Sequence, residues 1–155
     1  MKNAFLFLCL LIFGALSADS TACSIFTNKD AKFHWSLFNG NRQLPAQPTV
    51  EIKNIVRAGD MGEICSDVAI LFLTIPVDTS NSAFAYKFEL VSGSPEPIFS
   101  DNPVLGVFQD GKQTFTFRWI ERRALPMEIV VKVTSYTRSG KRGGSTNIKI
   151  SDPGR

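Results

Sequence analysis

Residues 48–152 read as an all-β fold, an antiparallel β-sandwich of about seven strands, with an N-terminal arm in front of it. Three observations predict this. Two stretches alternate strictly between apolar and other residues: Phe84, Tyr86, Phe88 and Leu90 in one, and Phe115, Phe117 and Trp119 in the other. Such a period of two belongs to strands with one buried face. Turn signals recur at short intervals, and no segment carries a sustained helical period, which leaves a parallel fold with crossover helices without its helices.

The elements follow in order. Residues 50–56 (Val-Glu-Ile-Lys-Asn-Ile-Val) form a first strand, and Ala58-Gly59-Asp60-Met61-Gly62 a turn. The second strand opens at Cys65 and ends at Pro76. Its continuous run, Val68-Ala69-Ile70-Leu71-Phe72-Leu73-Thr74-Ile75, predicts burial on both faces, with Ile70 and Phe72 taken as inward. After the polar loop 78–82 a third strand spans 84–91. The proline-bearing stretch 92–97 is a loop, and 98–107 holds at most a short edge strand, limited by Pro103 and Gly106. Gln109-Asp110-Gly111-Lys112 carries the Asp-Gly hairpin signal. Strands at 114–120 and 127–136 follow, the latter with Ile129, Val131 and Val133 inward. Residues 138–145 then form a glycine-rich basic loop before a last short strand, 147–151, with Ile148 and Ile150 inward.

The start of the chain speaks to compartment. Residues 1–22 have the make-up of an export leader: Lys2 near the start, an apolar core over 5–13 and small residues over 14–22, with acceptable cleavage points between 17 and 22. The apolar core is too short to span a bilayer. The exported chain is then periplasmic or extracellular and keeps two cysteines, Cys23 and Cys65. An even pair in an oxidising compartment predicts a disulfide tying the arm, 23–47, to the domain. It would close a loop of about 43 residues and contribute about 4 kcal/mol on the chain-entropy account. A lipid-modified N-terminus at Cys23 is the competing reading, drawn from Ser20-Thr21-Ala22-Cys23. Within the arm, Phe26, Phe33, Trp35 and Phe38 recur without a period, and Asn39-Gly40-Asn41, Pro45 and Pro48 break any helix.

Two stretches bear a family resemblance. Val131-Lys132-Val133-Thr134-Ser135, then Gly140, Gly143 and Gly144, then Ile148-Lys149-Ile150 resemble the last hairpin of immunoglobulin-like modules, nearest to fibronectin type III and cadherin-like domains. Pro48-Thr49-Val50 with Asn54-Ile55 resembles the opening strand of a fibronectin type III module. The resemblance implies a sandwich over 48–152 with the loops 78–82 and 138–145 at one end and Arg122 and Arg123 at the other. The chain departs from it where a tyrosine is expected, at Met127 or Ile129. The acids of cadherin calcium sites are also missing, so no calcium ligand carries over.

Chemistry is harder to find than architecture. His34 is the only histidine and no second metal ligand stands at a suitable spacing, so no metal site, cofactor or nucleophile–base pair is expected. Asp67, Asp78, Glu89, Asp101 and Asp110 lie at strand edges and turns, where acids are commonly solvated. Gly140-Lys141-Arg142-Gly143-Gly144 lacks the order of a phosphate loop. The chain is therefore expected to be an exported, non-catalytic interaction or accessory module. Residues 20–111 carry 6 Lys/Arg against 10 Asp/Glu, and residues 112–155 carry 10 against 3. That asymmetry fits a protein or anionic envelope polymer as partner, not nucleic acid, with Arg138, Lys141 and Arg142 as the binding residues. Solvation of a hairpin tip explains the same three residues without a partner. The alternative function is carbohydrate binding on an aromatic face of Phe115, Phe117 and Trp119, and burial of Trp119 decides against it.

Overall fold

In the computed structural model the described residues are 28–33, 44–60, 67–77, 83–94, 97, 99–121 and 123–154. The proposed leader, Cys23, His34, the 78–82 loop, Cys65 and Arg122 lie outside them. Among the described residues the fold is all-β, with nine antiparallel strands in two sheets. The strands are β1 (Lys29–Asp30), β2 (Glu51–Val56), β3 (Val68–Pro76), β4 (Ala85–Ser94), β5 (Val104–Leu105), β6 (Val107–Gln109), β7 (Lys112–Ile120), β8 (Met127–Tyr136) and β9 (Arg142–Asp152). One sheet runs β1-β5-β4-β8-β9 and the other β2-β3-β7-β6.

The core forms where the inner faces meet. Leu71, Leu73 and Ile75 from β3 and Phe115, Phe117 and Trp119 from β7 face Tyr86 and Phe88 from β4 and Ile129, Val131 and Val133 from β8. Phe88 stands at the centre, its ring centroid 4.9 Å from Phe115 and 4.6 Å from Phe117. Offset and edge contacts of this kind add to simple burial. Trp119 is only 2% exposed. The aromatic face is thus core, and the exposed platform that the alternative carbohydrate-binding reading needs is absent at Phe115, Phe117 and Trp119.

Strand β3 is buried on both faces, yet its faces are the reverse of the expectation. Ala69, Leu71, Leu73 and Ile75 enter the core, while Ile70 is buried on the opposite face and Phe72 is half-buried. An unbroken apolar run carries no alternation from which to assign a face. The other correction concerns the basic loop. Strand β9 begins at Arg142 rather than 147, pairing Arg142 with Tyr136, so the second half of the glycine-rich stretch is strand. Glycine is needed there because the arm lies against it. Gly144 N–H donates to the Pro45 carbonyl (2.9 Å), and a Cβ on Gly144 would fall 2.6 Å from the Gln47 nitrogen. Ser135 Oγ donates to the Ala46 carbonyl and adds a second tie.

The Asp-Gly turn forms as read. Asp110 and Gly111 both take positive φ (51° and 72°) and Gln109 pairs with Lys112, a two-residue hairpin. The stretch expected to hold one short edge strand holds two, because the chain leaves one sheet after β5 and joins the other as β6. Gly106 marks the changeover, donating its N–H to Gln113 Oε1. On the same side, the arm closes the gap between the sheets. Strand β1 pairs with β5, and the Asn28 side chain both donates to the Thr116 carbonyl (2.9 Å) and accepts from its N–H (3.0 Å). One amide side chain thereby completes the edge of β7.

Candidate functional site

At one end of the sandwich, residues 137–141 connect β8 to β9 in a tight tip. Thr137 N–H donates to the Lys141 carbonyl, Gly140 N–H to the Thr137 carbonyl, and Lys141 N–H to Thr137 Oγ1. Thr137 Oγ1 and Ser139 Oγ also share a hydrogen bond of 3.0 Å, both side chains being buried. Phe33 of the arm packs on Gly140 and against Tyr136. This is a braced hairpin tip.

Arg138 projects from the tip over Phe84, with its guanidinium carbon 4.9 Å from the ring centroid. Phe84 is held just ahead of β4 by its N–H bond to the Tyr136 carbonyl and by Gln113 Nε2, which donates to its carbonyl. The ring forms part of a groove of about 690 Å³ lined by Asn28, Lys29, Asp30, Lys32, Phe84 and Leu105. Lys29 and Lys32 are exposed at its rim. Asp30 also lines the groove, its carboxylate accepting from Ser100 Oγ (2.9 Å) and Asn102 Nδ2 (3.3 Å). The groove combines apolar Phe84 and Leu105 with two exposed lysines and one carboxylate, and Arg138 lies beside it on the Phe84 ring. A guanidinium laid over a ring keeps its N–H edge free for carboxylate, sulfate or phosphate oxygens.

Of the three binding residues expected from sequence, Arg138 contacts Phe84, one of the groove's lining residues. Lys141 is half-buried in the tip, and Arg142 stands exposed on β9, opposite Tyr136. Neither lines the groove. Lys29, Lys32 and Phe84 escaped the sequence reading, since β1 is two residues long and its partner lies some 75 positions away. The only local signal was the pair of lysines beside Phe33.

The opposite end holds Arg123 and a buried ionic cluster that no motif announced. Arg57, 3% exposed, donates through Nε and Nη2 to both carboxylate oxygens of Glu121 (3.0 and 2.5 Å) and through Nη1 to Asp152. It also donates to the Leu125 carbonyl. Ala58 N–H donates to Glu121 Oε2 (3.0 Å). Burial pushes the Glu121 carboxyl up, but the Arg57 hydrogen bonds, the Ala58 N–H and the Arg57 charge outweigh it and hold the group below its ordinary value. The Trp119 indole N–H lies close enough to assist, although it falls short of hydrogen-bond geometry. The Glu121 hydrogen bonds in turn raise the Arg57 value. Four of the five N–H groups of this guanidinium are used within the protein, so the cluster is a clasp and not an open site.

Among the described residues no three His, Cys, Asp or Glu side chains gather as a metal site, and no helix is long and apolar enough to cross a membrane. No family profile, curated protein or solved structure matches the chain.

Proposed function

We propose that this chain is an exported, non-catalytic interaction module of immunoglobulin-like fold that holds an anionic partner, protein or envelope polymer, at the end bearing Arg138. Export rests on the leader-like residues 1–22. The fold assignment is supported by strand order: β2-β3-β7-β6 and β5-β4-β8-β9 correspond to the A-B-E-D and C′-C-F-G orders of immunoglobulin-like sandwiches. The observation that carries the binding reading is Arg138 stacked on Phe84 at a groove rimmed by Lys29 and Lys32. Lys141 and Arg142, from the same hairpin, extend the cationic surface beyond the groove.

The test is retention on immobilised polyglutamate and on dextran sulfate. Lys29→Glu, Lys32→Glu and Arg138→Glu together should abolish retention. Arg118→Glu, Arg123→Glu and Lys149→Glu make the same change of charge elsewhere and should leave most of it. Equal loss in both triple variants would reduce the interaction to net charge and remove the groove from the account.

A further inference from the structure

Strand β4 is paired unequally on its two sides. Along Ala85–Ser94 it is laddered to β8, whereas on the other side it has a single bridge, Tyr86 to Val104 of β5. In an antiparallel strand every second residue turns its N–H and C=O away from a given neighbour. Past Tyr86 these groups meet no backbone partner among the described residues.

This edge faces a second wall. The chain returning toward β5 stands off from it, leaving a slot of about 490 Å³ lined by Lys87, Phe88, Glu89 and Leu90 on one side and Pro97, Phe99, Ser100 and Asp101 on the other. Two contacts hold the walls apart. The Phe88 and Phe99 rings stack at 6.2 Å, with Phe99 also edge-on to Phe117 at 4.8 Å. Ser100 and Asn102 are anchored to Asp30 of β1. The slot is thus preformed, which lowers the ordering cost of binding. Its length is bounded as well. Beyond Leu90 the register shifts and Val91 bulges out, so the usable edge is residues 87–90, about 13 Å at the strand rise.

We propose that this slot accepts an extended, basic segment of another protein as an added strand on the β4 edge. Main-chain pairing supplies attachment, as in other strand additions. The charge preference comes from the walls. Lys87 and Glu89 are paired with each other at 3.3 Å, while the exposed Asp101 carboxylate has no ion-pair partner among the described residues. A Lys or Arg on the added strand is the complement. The site is separate from the anion groove and prefers the opposite charge, so either assignment can fail alone.

A display library of random heptapeptides, panned against the native chain, tests the proposal. Enriched sequences should carry Lys or Arg, and Asp101→Lys should weaken their binding about tenfold or more. N-methylation of alternate backbone nitrogens in a bound peptide should abolish binding. Amide exchange should slow at residues 87–90 in its presence. No enrichment over background, enrichment indifferent to charge, or tolerance of N-methylation would each overturn the proposal. So would protection of 87–90 that rises with concentration of the chain alone, since the occupant would then be a second copy.

Discussion

Arg57 shows how little of a residue's role need be visible around it. In the sequence it is one cation before an Ala-Gly-Asp turn, while its partners lie 64 and 95 positions away. Removing one member of a buried ion pair strands the other, so Arg57→Ala should cost about 3–5 kcal/mol in urea denaturation. The pH dependence follows from Glu121. A carboxyl held below its ordinary value when folded adds stability above about pH 4.3 and loses it as pH falls through the folded value. Wild type should therefore weaken on acidification from pH 5 downward, and Glu121→Gln should start lower and show a flatter response. Phe88 is the opposite case, legible from alternation alone and central in the core. Phe88→Ala should cost about 3–5 kcal/mol by the same measurement. Ile70 and Phe72 were misread because β3 offers only an apolar run, where hydrophobicity indicates burial without a side.

At the scale of elements, legibility tracked locality. The strands with a period of two, β4, β7 and β8, stand within a few residues of where alternation puts them, and the Asp-Gly turn is where its two residues require it. What could not be read were elements defined by a distant partner. Strand β1 has no pattern of its own. The front of β9 looked like a loop because Gly143 and Gly144 are turn formers in isolation, and only the arm lying on them explains their absent side chains. Gly144→Val should dislodge residues 44–48, seen as faster proteolytic cleavage there with the core still folded. Asn28→Ala should leave the N–H and C=O of Thr116 without partners and cost about 1–3 kcal/mol. Asn28→Asp should lose the donated half of the bridge while retaining an acceptor, and fall between the two.

Over the whole molecule, the strongest numerical feature of the sequence, its acidic first part and basic last part, does not become two halves in space. Strand β7 sits between β3 and β6, and β4 between β5 and β8, so early and late charges share each sheet. Binding at the Arg138 end should weaken steeply as ionic strength brings the Debye length below about 8 Å, whereas strand addition at β4, with one exposed carboxylate and main-chain pairing, should weaken with a shallower slope. The two sites can be told apart by a salt titration alone. The clasps that close the fold also set an order of events for a growing chain. Asn28 waits for Thr116, Ala46 for Ser135, and Arg57 for Asp152, spans of 88, 89 and 95 residues. Contacts of that reach are slow to form. A chain released one residue at a time can build its central strands early, but the fastening of Arg57 to Asp152 is available only once Asp152 has emerged.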